Sequence, residues 1–410
     1  MQASHTIEAS NKATGGSVHA RHWRLRPDVD FLNHGSFGAC PIPVLDLQQR
    51  LRLEMEAEPV QFLWRHWEAR LDPERSHLAS FLGVSPADLV FVQNATAGVN
   101  AFVRSLDLSL GDELLTTSLD YNACRNVLVE AARRSGALMV VAEIPFPIQS
   151  PDQILEALLR KVTPRTRLAF IDHVTSDTGI ILPVGRLITA LRERGVETMV
   201  DGAHAPGMVD LNISQLNPAA YTGNLHKWVC APKGAAFLWV RGDFQDGVQP
   251  PVVSHGNNRP RPDHTPFQDR FDWAGTQDPT PWFCVGEALR FMGSLLPGGW
   301  DTLRDTNHAL AVAARRALCD HLGVVPPCPE SMLGSLATIP LPDSLQAEPP
   351  RFEGKLDAMQ ARLYDTSRIE VPFMRFGTPP RRYFRISSQI HNRIEQYLRL
   401  GDILKDLSGS

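Results

Sequence analysis

The sequence predicts an α/β protein, with a large domain built on a mainly parallel sheet and a smaller α+β domain towards the C-terminus. Three observations carry this prediction. Short apolar segments rich in β-branched residues recur through the middle of the chain, helical segments separate most of them, and a Pro-rich stretch near residue 250 ends the alternation. Alternating strands and helices imply parallel pairing, because a parallel crossover needs a dozen or more residues and usually takes them as a helix. Helices on both faces then bury the sheet, which is why its strands read as continuous apolar runs.

The elements follow in order. The stretch "MQASHTIEASNKATGGSVHA" is polar and lacks the apolar segment of a secretion signal, so residues 1–30 are expected to form a leader and arm. From Val44 to Leu82 apolar residues recur at helical spacing, and Gly83 supplies a stop. Strands are expected at "DLVFVQN", "ELLTTS", "ALMVVAEI", "RLAFIDHV", "TMVDGA" and "GAAFLWV", with helices at "SPDQILEALLRKV" and "VGRLITALRERG". The run "QPPVVSHGNNRPRPDHTPF" reads as a loop. Helical "PWFCVGEALRFMGSLL" and "DTLRDTNHALAVAARRALCDHLG" lead to strand-like "SLATIPL", a second Pro-rich loop and a terminal "YFRISSQIHNRIEQYLRLGDILKDL". The expected domains are 31–285 and 286–410, part of the N-terminal segment packing with the second.

Composition narrows the function. The chain has 410 residues, 43% hydrophobic and 21% charged, enough for one large core or two unequal domains. A formal net charge of −4 provides no basic field for nucleic acid. No stretch approaches the roughly 18 apolar residues of a membrane span. The six cysteines (Cys40, Cys124, Cys230, Cys284, Cys319, Cys328) lack CxxC spacing. That argues against a zinc cage or a disulfide framework, and for a reducing compartment such as the cytoplasm.

The ends of the expected strands are polar, and ligands of open α/β sheets gather at the carboxyl edge. "LVFV" is followed by Gln93, Asn94, Ala95, Thr96, Ala97 and Gly98, small residues suited either to a phosphate cradle at a helix N-terminus or to an ordinary capped turn. "RLAFIDHV" runs into Thr175, Ser176 and Asp177. "VETMV" ends at Asp201, which suits a partner cation or protonated ring, or a helix cap. Lys227 follows in "LHKW"; aromatic and apolar neighbours that desolvate it would lower its pKa and make it nucleophilic, whereas a lone lysine is ordinarily a surface charge. Together, a lysine for a Schiff base, a carboxylate for a ring nitrogen, an aromatic face and a phosphate cradle are what a pyridoxal phosphate enzyme requires.

The run "VDGAHAPG" through "YTGNLHKWVCAPKGAAFL" resembles class V of the aminotransferase-fold pyridoxal phosphate enzymes, which includes cysteine desulfurases. "FLNHGSFGACP", "NATAGVN", "LDYNACRNVL" and "WAGTQDPTP" resemble its isopenicillin N epimerase-like branch, over about residues 20–400. The resemblance implies the fold-type I transferase architecture, with a seven-stranded-type sheet, and pyridoxal 5′-phosphate as cofactor. It implies that Lys227 forms the Schiff base, preceded by His226, that Asp201 pairs with the pyridine nitrogen, and that His204 and Ser176 lie near the ring hydroxyl. Tyr121 falls at the ring-stacking position; Ala95, Thr96 and Ala97, assisted by Thr222 and Asn224, fall at the phosphate cradle. Gly275 and Thr276 match a phosphate-binding turn supplied by a second subunit, hence a homodimer; Lys233 falls outside the Schiff base.

On the substrate side, Arg385 matches the arginine that grips an α-carboxylate, Arg381 and Arg382 read as exposed loop charges, and Asn33 and His34 resemble a loop that closes over the site. A freed Lys227 would abstract the Cα proton of an amino acid or an amino-acid-containing peptide. Epimerisation is the expected outcome; C–S bond cleavage and transamination are alternatives. Desulfurases need a nucleophilic thiol on a small-domain loop, and "SRIEVPFMRFGTPPRRY" has none, while Cys328 sits among prolines as a structural residue. A protein that kept the fold without catalysis would be expected to lack Lys227, Asp201 or Arg385.

Overall fold

The computed structural model describes residues 13–346, 352–353, 356–377 and 379–409. The first 12 residues of the expected leader, and residues 347–351 of the second Pro-rich loop, lie outside them. The central sheet has seven strands: β1 (Leu89–Val92), β2 (Glu113–Thr117), β3 (Leu138–Ala142), β4 (Thr166–Asp172), β5 (Glu197–Asp201), β6 (Ala220–Asn224) and β7 (Ala236–Val240). Their spatial order is β1-β7-β6-β5-β4-β2-β3, and only β7 runs against its neighbours. The other carboxyl ends therefore open on one edge.

Side chains of each strand divide between two cores. Leu89, Phe91, Ala169, Ile171 and Phe237 pack into one cluster, Val90, Val92, Leu168, Phe170 and Leu238 into the other. This period of two with both faces apolar is why no polar alternation marks these strands. Covering helices include α1 (Ile42–Ala57), α2 (Trp67–Leu82), α3 (Ala95–Val103), α4 (Asn122–Ser135), α5 (Pro151–Leu159), α6 (Val184–Arg192) and α7 (Val285–Gly293).

Two elements differ from the sequence expectation. The helical run from Val44 to Leu82 is split into α1 and α2, joined by a π-helical turn at Gln61–Arg65. Pro59 follows Glu58, which leaves the helix at φ −144° and ψ 74°; a residue before proline is driven out of the α region, and proline has no N–H to continue the ladder. Strand β6, "AYTGN", was expected only as part of a motif. It lacks a β-branched run because neighbours press on it: a Cβ on Gly223 would lie 2.8 Å from the Phe237 ring. Gly83 does end α2, in the left-handed conformation at φ 66°.

The C-terminal part carries α8 (Gly299–Leu322), β8 (Leu336–Pro340), α9 (Ala358–Ser367), β9 (Phe373–Phe376), β10 (Arg381–Ser387) and α10 (Ile394–Ser408). Its antiparallel sheet runs β9-β10-β8. The N-terminal segment is stitched onto it. Asp30–Phe31 pairs in parallel with Ile369–Glu370, the buried Asp30 carboxylate accepts from Arg399 at 2.7 Å and Gln396 at 3.0 Å, and the Ser387 amide donates to the Leu32 carbonyl at 2.9 Å. Among the described residues no helix is long and apolar enough to cross a membrane.

Candidate active site

A cavity of about 450 Å³ lies at the carboxyl edge, lined by the turns after β1, β2, β4, β5 and β6 and by Ser36 and Phe37 of the N-terminal segment. The turn after β6 brings in Lys227, whose Nζ lies 2.9 Å from His204 Nε2. His204 arrives on the turn after β5 and is buried. Desolvation first, and the Arg385 cation second, lower the Lys227 amine to about 8, against the opposing pull of Asp201 and Asp172. Burial and the Lys227 charge push His204 well below its ordinary range, so it is a neutral imidazole.

Asp201 ends β5, 2% exposed; its Oδ1 accepts from the Ala203 amide at 2.9 Å and its Oδ2 from the Cys124 thiol at 3.1 Å. Asp172 ends β4 in register with it, also 2% exposed, and its Oδ1 has no partner. Burial raises both carboxyls, and at Asp172 the neighbouring Asp201 charge adds to it. This acidic floor suits a protonated ring nitrogen, with which it could form a charge-assisted hydrogen bond.

The N-terminus of α3 faces the same cavity through Asn94, Ala95 and Thr96. Asn94 is its N-cap, its side chain accepting from the Ala97 amide at 2.9 Å, while Asn224 accepts from the Ala95 amide at 2.9 Å. The helix sits this close to β6 because Gly98 has no Cβ; one would lie 2.3 Å from Thr222 Oγ1. A helix N-terminus with small residues is a natural phosphate site. Thr222 donates to the Phe237 carbonyl at 2.7 Å, so it and Ala97 stand behind the wall, supporting it.

Tyr121, at the start of α4, lines the cavity and is 45% exposed, its ring free to cover a planar ligand. Ser176 lines it too, and its carbonyl accepts from Arg385. His226 also faces it, hydrogen-bonded through Nδ1 to the Ala235 carbonyl at 3.1 Å. Arg385, on β10, is 3% exposed and donates to Ser36 Oγ at 3.1 Å, while its Nε has no partner. No carboxylate pairs with it among the described residues, and desolvation lowers it to about 10. A buried cation without a counter-ion is costly, so an anionic ligand is the natural partner.

Other expected residues lie elsewhere. His34 is fully buried beneath the cavity, its Nε2 donating to the Lys227 carbonyl at 3.0 Å. Asn33 accepts from Ser36 Oγ at 2.6 Å and donates to Glu370 at 3.0 Å, so it orients Ser36, which itself reaches the cavity with Phe37. The loop turns back here because Gly38 adopts φ 70° against the His226 carbonyl, where a Cβ would lie 2.0 Å away. Gly275 and the exposed Thr276 are not in this chain's cavity wall. Arg381 is exposed, but Arg382 is buried and pairs with Asp357 at 3.0 Å, since alternate residues of β10 face opposite sides. Lys233 is exposed and donates to the Gly38 carbonyl at 2.8 Å. Ser36, Phe37, Asn94 and Asp172 are wall residues that the motif reading did not assign. Asp172 carried a usable signal, since "AFID" ends an apolar strand in aspartate as "TMVD" does.

The fold and this wall define a class of protein, and comparison with known proteins agrees. The family model for class V aminotransferases matches residues 59–339. An isopenicillin N epimerase of Amycolatopsis lactamdurans is 34% identical over 94% of this chain and 96% of its own length. A probable chloroplastic L-cysteine desulfhydrase of Arabidopsis thaliana is 29% identical over 98% of this chain and 87% of its own. Among solved structures, a cysteine desulfurase from Thermococcus onnurineus superposes with a TM-score of 0.78 at 19% identity, covering 95% of this chain and 97% of the other. The chain belongs to the class V aminotransferase family and is an enzyme of that pyridoxal phosphate-dependent class.

Proposed function

We propose that this enzyme acts at the α-carbon of an amino acid or an amino-acid-containing peptide, and that the outcome is inversion of configuration. The observation that carries the first part is that Lys227 lines the cavity while Arg385, buried and without a carboxylate partner among the described residues, donates to two residues of its wall, Ser36 and Ser176. Pyridoxal 5′-phosphate, when bound, supplies an electron sink for charge developing at Cα. Lys227 would hold it covalently and, once released, take the Cα proton; Asp201 would keep the ring nitrogen protonated. Asn94, Ala95 and Thr96 would receive the phosphate, Asn224 and Thr222 bracing that wall, and Tyr121 would cover the ring. His204 and Ser176 would meet the ring hydroxyl, and Arg385 would take the substrate carboxylate through its guanidinium. Gly275 and Thr276 are proposed to complete the phosphate site of a second copy in a homodimer, and the cytoplasm is the proposed location.

Inversion is favoured by the epimerase relatives, which span nearly the whole chain. Cleavage of a β-carbon–sulfur bond is the second reading, supported by the desulfhydrase relatives. It uses the same proton abstraction and needs no protein thiol. A desulfurase route is disfavoured, because all six cysteines are buried and burial raises the Cys328 thiol. In deuterated water with a panel of L-amino acids, peptides and thioether sulfoxides, Cα exchange with inversion is the expected result. Pyruvate release without inversion would move the assignment to the lyase. Asp201→Asn is expected to lower turnover on the order of 10²-fold, because a neutral amide no longer holds the ring proton. Undiminished turnover would remove Asp201 from this role.

A further inference from the structure

We propose that Trp228, the residue after the site lysine, is a positioning residue that holds His204 in the tautomer whose Nε2–H faces the Lys227 amine. The inference rests on the reading that Lys227 carries the cofactor. An indole N–H only donates. Trp228 Nε1 lies 3.3 Å from His204 Nδ1, so Nδ1 must present its lone pair and the single imidazole proton must sit on Nε2. Nε2 in turn lies 2.9 Å from Lys227 Nζ. With a proton on Nε2, only an unprotonated amine has a lone pair with which to accept.

The reverse arrangement has no satisfied form. An ammonium donating to Nε2 would require the proton on Nδ1, setting an N–H against the indole N–H inside the protein. Protonating both nitrogens produces two such conflicts. Neither His204 nor Trp228 can turn away cheaply: both are 1% exposed, and the Trp228 ring packs on His34 with centroids 5.2 Å apart.

The remaining groups around Lys227 are accounted for. Arg385 and His226 oppose a charge here, while Asp201, Asp172 and the Cys124 thiol favour one. With acidic groups on one side of the amine, the directional chain Trp228–His204 tips the balance towards the neutral form. The enzyme thus presents an amine that gives up its proton more readily than an ordinary lysine before it attacks an aldehyde or takes a proton from Cα. Trp228 is not in the cavity wall, so it acts only through His204.

The test uses the full chain freed of cofactor. Long-range proton–nitrogen NMR with labelled histidine should show His204 protonated at Nε2 and bare at Nδ1. Competitive acetylation of Lys227, read by peptide mass, should give a midpoint near 8 in the parent protein. In Trp228→Phe the tautomers should mix and the midpoint should rise by about one pH unit, a tenfold loss of reactive amine at a fixed pH below it. Should that variant fold poorly, placing the sulfur isostere 3-benzothienylalanine at position 228 removes the donor and keeps the shape, and the same shift is expected. An unchanged midpoint with the isostere, or a proton on Nδ1 in the parent, overturns the proposal. Borohydride reduction of the loaded parent protein separately reports which lysine holds the cofactor, so failure of that underlying reading is seen on its own.

Discussion

Lys227→Ala is expected to lose turnover by on the order of 10³-fold or more, because no other amine replaces both the covalent anchor and the base. The visible absorbance of the loaded protein, roughly 410–430 nm for a protonated Schiff base of this cofactor, should vanish with it. The cavity explains why no neighbour compensates. Lys233 lies on the same segment but is turned outward to the Gly38 carbonyl. His204, at 2.9 Å from Nζ, is a neutral imidazole held in place and cannot form the bond. An alanine variant that kept the visible band would show that another lysine is the anchor.

The second large effect is expected at Arg385. Arg385→Gln should lower kcat/KM for an α-amino acid on the order of 10²- to 10³-fold, mostly through KM, since a charge-assisted bidentate pair is lost. Arg385→Lys should recover little, because an ammonium cannot reproduce the planar fork. A pH effect accompanies the loss of charge. The Arg385 cation is one of the two forces that lower Lys227, so removing it lets the amine rise from about 8 towards its ordinary value. The acidic limb of the kcat profile, where the released Lys227 must be neutral to take a proton, should therefore move to higher pH in Arg385→Gln and stay closer to the parent in Arg385→Lys. Parent-like KM in both variants would exclude Arg385 from substrate binding.

How much of this was legible in the sequence depended on the kind of signal. The strands and crossover helices were readable because burial on both faces demands long apolar runs, and "GAAFLWV" and "RLAFIDHV" have little else to be. Asp201 was visible because a charged residue closing an apolar strand has few uses, and Lys227 because it joins that carboxylate, an aromatic face and a small-residue cradle in one constellation. Strand β6 was harder: its composition answers to the neighbours pressing on Gly223 and Thr222 rather than to strand propensity. His34 is expected from the sequence in a loop that closes over the site, but that residue lies under Lys227, and only the tertiary path of residues 31–38 shows that. Trp228 gave no polar signal at all. Its importance is one N–H aimed at one ring nitrogen, a relation between two side chains 24 positions apart.

The stitching of the N-terminal segment onto the C-terminal part sets an order of events during synthesis. Ser36 and Arg385 face each other across 349 positions, and the strand that holds Phe31 in place is Ile369–Glu370. A ribosome making this chain releases the whole central sheet before it releases the residues that anchor its own beginning. Until then Asp30, Phe31 and Ser36 lack their C-terminal partners, and the apolar surface that the C-terminal part covers is open. The nascent enzyme thus has a sheet and Lys227 well before it has a closed cavity, and its last hundred residues finish the work begun by its first forty.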